Sequence, residues 1–144
     1  VKRFMFIGET NSGKSGLIRA LSGESYSPRR AMAVEFFGRY VNTPGEFLEN
    51  SRYYHALITS SADCAVLVLV QDATSPTSLF PPLFAPIFNR PVVGVVTRSE
   101  EPGAAPDRAE RFLRSAGVRR VVRTDFRNGT GFDLLDAMLS DQSA

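Results

Sequence analysis

The chain has 144 residues, 43% of them hydrophobic, and its 17 lysines and arginines against 15 acids leave a formal net charge of +2. That length can bury a core without metal or disulfide staples, and with no linker in sight residues 1–144 read as one domain. One cysteine, strand-sized apolar runs and near-balanced charge argue against a disulfide scaffold, a membrane span or signal peptide, and a broad basic surface for nucleic acid.

In chain order, the apolar run Phe4-Met5-Phe6-Ile7 predicts a buried strand. It leads straight into Gly-Glu-Thr-Asn-Ser-Gly-Lys-Ser at residues 8–15, a full G-x-x-x-x-G-K-[ST] phosphate loop. Leu17, Ile18 and Leu21 then share a helical face, and Gly23 stops the helix. Gly8 and Gly13 permit a tight turn in which the backbone N–H groups of Glu9, Thr10, Asn11, Ser12 and Gly16 converge on an anion. Lys14 supplies an ammonium to the outer phosphates, and the Ser15 hydroxyl is a ligand for Mg²⁺.

A second strand is predicted over residues 34–37 with Tyr40 and Val41, followed by Asn42-Thr43-Pro44-Gly45. Tyr53, Tyr54, Leu57 and Ile58 form a helical stripe, in which His55 is expected to pack or hydrogen-bond rather than to catalyse. Residues 65–70 are a continuous apolar strand with Cys64 as a core neighbour, a usage suited to a reducing cytoplasm. Residues 72–91 interleave Pro76, Pro81, Pro82 and Pro86 with large apolar side chains, too broken for a helix and too apolar for a solvated loop. Either this segment packs irregularly on the sheet or residues 76–88 expose an apolar docking surface.

A strand at 92–96 precedes Thr97-Arg98-Ser99-Glu100, and Ala109, Phe112, Leu113 and Ala116 mark another helix. The short strand Val121-Val122 leads to Thr124-Asp125-Phe126, and Phe132, Leu135, Met138 and Leu139 mark the last helix. Strands apolar throughout imply burial on both faces, hence an α/β fold with a mostly parallel sheet and helices on both sides. Arg108, Arg111, Arg114, Arg119, Arg120, Arg123 and Arg127 lack interleaved stacking aromatics and have acids nearby, so they read as a solvated face.

Asn42-Thr43-Pro44-Gly45-Glu46-Phe47 resembles the Asp-Thr-Pro-Gly-Glu-aromatic stretch of the EutP/PduV family, small Ras-like P-loop GTPases of bacterial microcompartment operons for ethanolamine and propanediol utilisation. The likeness extends to the phosphate loop, Ala33-Val34-Glu35, residues 54–60 and residues 89–97, and is stronger to the propanediol branch. The resemblance implies a single Ras-like domain that binds GTP or GDP with Mg²⁺, and a cytoplasmic location at a microcompartment. Its implied partners are shell or encapsulated proteins. Thr43, Gly45, Thr97, Arg98, Glu100, Thr124, Asp125 and Phe126 fall at nucleotide-contacting positions, and Glu46 stands where a water-orienting residue is found. Asn42 replaces an acid that holds the magnesium water shell, Ala31 replaces a switch threonine for which Ser25, Ser27 or a backbone carbonyl would have to substitute, and Glu100 replaces the base-reading aspartate.

Three functions follow. The first is guanine nucleotide binding with slow or partner-dependent hydrolysis. The second, implied by the ethanolamine branch, is an acyl-phosphate (acetate) kinase, and the third is a non-catalytic adaptor docked on the shell through residues 76–88.

Overall fold

The computed structural model describes residues 2–29 and 32–142. Among these residues six strands form one sheet: β1 (Phe4–Gly8), β2 (Glu35–Phe37), β3 (Tyr40–Asn42), β4 (Val66–Asp72), β5 (Val92–Thr97) and β6 (Arg120–Arg123). Their order is β2-β3-β1-β4-β5-β6, parallel throughout except for the edge pair β2 and β3. The helices are α1 (Lys14–Ser22), α2 (Glu46–Glu49), α3 (Tyr54–Ser61), α4 (Pro106–Ser115) and α5 (Phe132–Gln142).

Side chains alternate across a strand, so the continuous apolar runs split between two cores. Met5, Ile7, Leu67 and Leu69 pack with Leu57, Phe84 and Leu113, while Phe4, Phe6, Val66 and Val68 pack with Leu17, Ile18, Leu135 and Leu139. Each fully buried leucine or phenylalanine contributes about 1.5–3 kcal/mol relative to exposure. The α/β architecture read from the sequence is thus the one observed, with helices on both faces of a mostly parallel sheet.

Pairing in parallel sets the carboxyl ends of β1, β3, β5 and β6 along one sheet edge, where Gly8, Asn42, Thr97 and Thr124 emerge together. Ligands of open α/β sheets bind at such an edge.

The proline-rich segment packs largely inward. Phe80, Phe84, Ala85 and Phe88 are buried, and rings meet at 5.2 Å for Tyr54–Phe84 and for Phe84–Phe88. Leu79, Leu83 and Ile87 point outward, with Leu83 66% exposed. The arginine-rich face is laced with acids, since Arg114 pairs with Glu110, Arg120 with Asp141, and Arg123 with both Asp107 and Glu110. His55 is exposed on α3, so the expected packing role is not what the fold gives it. Cys64 is buried as expected, and burial pushes its thiol up to about 11, which keeps it unreactive at neutral pH.

Candidate phosphate-binding site

β1 ends in buried Gly8, and the chain turns through residues 9–13 into α1, whose N-cap Gly13 has φ 112. The first-turn N–H groups of α1 have no carbonyl four residues back and project to the mouth of the loop with the positive end of the helix dipole. Lys14 folds over this turn. Its Nζ donates to the carbonyls of Gly8 at 2.7 Å and Glu9 at 2.8 Å, and the residue is only 6% exposed. Burial lowers its pKa to about 8, against the opposing fields of Glu49, Glu46 and Glu9.

The second wall comes from the end of β3. Thr43 is buried, and both its hydroxyl (2.7 Å) and its backbone N–H (3.3 Å) donate to the Phe6 carbonyl, tying this loop to β1. The Asn42 amide donates to the Tyr26 hydroxyl at 3.1 Å, and Tyr26 donates in turn to Glu35 at 2.8 Å. Asn42 Oδ1 is buried with no hydrogen-bond partner among the described residues. Gly45 lies so close to the phosphate loop that a Cβ there would sit 2.2 Å from the Thr10 nitrogen. Glu46 begins α2, and Glu49 at its end accepts the Thr10 N–H at 2.9 Å. Thr10, Asn11, Gly13, Lys14, Ser15, Gly16, Asn42, Thr43, Gly45, Glu46 and Arg98 all line a single cleft of about 310 Å³.

The third wall follows β5 and β6. The Thr97 hydroxyl donates to the Ser12 carbonyl at 2.6 Å, so Thr97 braces the loop from behind. Arg98 reaches back to the Asn11 carbonyl at 3.0 Å and pairs with Asp72, and both Asn11 (φ 66) and Arg98 (φ 56) are left-handed where they meet. Held backbone strain of this kind clusters at ligand sites. The Phe126 ring lies against the first turn of α1, 2.9 Å from where a Gly16 Cβ would stand. Gly13, Gly16, Arg19, Ala20, Arg98 and Phe126 line a second cleft of about 500 Å³. Phe126 therefore gives this cleft an aromatic wall, with Arg98 also in its lining.

Other sequence-derived residues stand behind these surfaces. Thr124 is buried and donates to the Val96 carbonyl at 3.0 Å. Asp125 is 1% exposed and accepts the N–H groups of Glu100 (3.0 Å) and Arg127 (2.9 Å). Burial alone would raise this carboxyl, but those N–H groups and the Arg127 guanidinium outweigh it and hold the pKa below the usual range. Glu100 is exposed, accepts from the Asn128 amide at 2.6 Å and lines neither cleft. Glu9 turns its carboxylate to the Leu79 N–H, and Ser12 buries a hydroxyl that has no partner among the described residues. Ser25 and Ser27 are exposed and outside the first cleft, and Ala31 lies outside the described residues.

Asp125→Ala is expected to lower unfolding stability by about 2–4 kcal/mol, because two part-buried N–H groups lose a charged acceptor. A denaturant midpoint comparison checks this, with unchanged stability counting against a bracing role for Asp125.

Glu49, Tyr26, Asp72 and Asn128 were not singled out by sequence. Each acts through a contact across tens of positions, such as Thr10 to Glu49 or Asp72 to Arg98, and no local spacing encodes it. The residues suit a nucleotide phosphate with Mg²⁺: among the described residues the buried Lys14 ammonium donates to two carbonyls, the N-terminus of α1 has no side-chain cap, and the buried Asn42 amide oxygen has no donor. Lys14 and the loop N–H groups would hold phosphate oxygens, Ser15 would ligate the cation, and Asn42 Oδ1 would accept from its water shell.

The cytosolic domain of the T. maritima FeoB iron transporter, solved in its GMPPNP form, superposes with a TM-score of 0.61 at 18% identity. The match takes in 99% of this chain and 63% of that one, and it shows that the two share a fold, an α/β P-loop architecture. Propanediol utilization protein PduV of Citrobacter freundii is 36% identical over 136 residues, covering 92% of this chain and 89% of that protein. A protein named probable acetate kinase EutP from Escherichia coli K12 is 33% identical over 124 residues, covering 85% of this chain and 78% of that protein. The family model described as ethanolamine utilisation and propanediol utilisation matches residues 1–141, so the chain belongs to the PduV-EutP family, as its Asn-Thr-Pro-Gly-Glu stretch led us to expect.

Proposed function

We propose that this chain is a guanine nucleotide-binding protein that holds GDP or GTP with Mg²⁺, hydrolyses GTP slowly or only with a partner, and works in the cytoplasm at a bacterial microcompartment. The observation that carries this reading is Lys14, a buried ammonium at the open N-terminus of α1 whose partners are two carbonyls. An ion held at such desolvation cost gains most from an anionic ligand. The bound cation would neutralise charge on the phosphate oxygens. Slow turnover is inferred from Asn42, which offers that cation's water shell no charge, and from Glu46, a carboxylate where a neutral residue better orients water. Leu79, Leu83 and Ile87 form the outward apolar edge through which a shell or encapsulated protein would dock.

Calorimetry with GDP, GTP, ADP and ATP in Mg²⁺ tests the reading, with guanine nucleotides expected to bind well below millimolar; failure of all four overturns it. The affinity for GDP is also expected to fall with pH. Below about 8 Lys14 is charged in the free protein. Above that value binding must first restore its proton, so affinity drops about tenfold per pH unit. A flat profile from pH 7 to 9 contradicts this role for Lys14.

A second reading rests on the relatives named probable acetate kinase. In it a nucleoside triphosphate passes its terminal phosphoryl group to a carboxylate oxygen, releasing the diphosphate and an acyl phosphate. Arg19 and Arg98 at the cleft wall are the candidate cations for that carboxylate. Trapping the acyl phosphate with hydroxylamine, with and without Lys14, decides it.

A further inference from the structure

We propose that Glu49 closes the outer-phosphate end of the loop, so that this chain favours nucleoside diphosphates and must release α2 from Thr10 to admit a third phosphate. This rests on the nucleotide reading above and adds a residue that selects between its two ligands.

Four observations carry it. The Glu49 carboxylate accepts the Thr10 backbone N–H at 2.9 Å and also bonds the Thr10 hydroxyl, so an internal anion already sits on a donor of the phosphate loop. Thr10, the residue Glu49 holds, lines the same cleft as Lys14 and Gly45, and the lysine is the group of the loop that meets outer phosphates. Gly45, one residue before α2, is pressed on Thr10 so tightly that an added Cβ would stand 2.2 Å from its nitrogen, leaving no room between the two loops. Asn50 leaves helical geometry immediately after Glu49, with φ −130 and ψ 115, and the carboxylate is on the exposed side of the loop.

A terminal phosphate and Glu49 therefore compete for the same donors, and being of like charge they repel in a half-closed cleft. A diphosphate leaves that end of the loop to Glu49. A triphosphate must swing the carboxylate into solvent, carrying α2 with it. The movement of α2 then reports the third phosphate without a contribution from a switch threonine.

The test compares wild type, Glu49→Gln and Glu49→Ala by calorimetry with GDP and with the β,γ-imido analogue of GTP, both in Mg²⁺. The ratio of triphosphate to diphosphate affinity is expected to rise about tenfold in each variant, the loss of one charge-assisted bond and one repulsion. In ¹⁵N spectra the Thr10 amide of wild type is expected to shift more with the analogue than with GDP. An unchanged or lower ratio overturns the proposal even if both nucleotides bind. Failure of both nucleotides to bind any of the three proteins overturns the nucleotide reading, and this proposal with it.

Discussion

Lys14→Met is expected to weaken GDP binding by more than about a hundredfold while making the protein harder to unfold. The loss of affinity follows from removing the one buried cation of the loop, because two charge-assisted bonds to phosphate oxygens are together worth about 3 kcal/mol or more, or two decades. The gain in stability follows from the same burial. Depression of the Lys14 pKa from 10.5 to about 8 by desolvation corresponds to a cost on the order of 3 kcal/mol at neutral pH. Methionine keeps an unbranched apolar stem and carries no charge. The carbonyls of Gly8 and Glu9 lose a donor, so the net stabilisation is about 1–2 kcal/mol.

The two effects have a common signature in pH. Between about 8 and 10.5 the unfolded chain keeps the lysine proton that the folded chain has lost. The unfolded state then binds more protons, so the Lys14 contribution makes stability rise with pH across that window. In Lys14→Met that rise is absent. Urea denaturation at pH 7 and 9.5, paired with calorimetry, measures both. A variant that unfolds more easily and binds GDP normally would show Lys14 to be a packing residue.

Hydrophobic pattern carried most of the architecture to the surface of the sequence. Residues 65–70 and 92–96 announce strands covered on both sides, and they lie at the centre of the sheet as β4 and β5. The phosphate loop was legible for the same reason, since its strand, turn and helix are contiguous and each step has a local rule. Legibility fails where a residue's role is fixed by a distant partner. Thr97 and Asp125 carry the right polar groups for a nucleotide site, but their hydrogen bonds go to Ser12, Glu100 and Arg127, so they shape the walls. The proline-rich segment gave an ambiguous pattern because Phe80, Phe84 and Phe88 recur every fourth residue and face inward, while Leu79, Leu83 and Ile87 recur at the same interval and face out. Its backbone is not a regular helix, and periodicity alone cannot say which stripe meets the sheet.

Gly131→Ala is expected to cost about 4 kcal/mol of stability and to damage the Phe126 and Arg98 cleft, proposed to take the base, more than the phosphate loop. Gly131 has φ +84, and a Cβ there would stand 2.1 Å from the Arg123 carbonyl oxygen. The left-handed backbone costs an alanine about 1–2 kcal/mol, and forcing the methyl against backbone that cannot rotate away adds about 1–3 kcal/mol. The strain is released by lifting the start of α5 from β6. That movement pulls on the turn closed by Asp125 N–H to the Thr130 carbonyl at 3.1 Å, and separates Phe132 from Phe126, whose rings are 5.7 Å apart. The aromatic wall beside Arg98 then moves, while Lys14 and the loop on β1 keep their supports from Gly8, Glu9 and Thr97. Pyrophosphate binding should survive in the refolded fraction and GDP binding should fall toward it, so that the base no longer adds affinity. Gly129→Ala is the matched control, because Gly129 has φ +73 and nothing within 4 Å of an added Cβ. It carries the backbone strain alone, and a difference of at least about 1–3 kcal/mol between the two variants isolates the contact with Arg123. Equal destabilisation of the two would place the whole effect in the backbone and leave the Phe126 wall without this anchor.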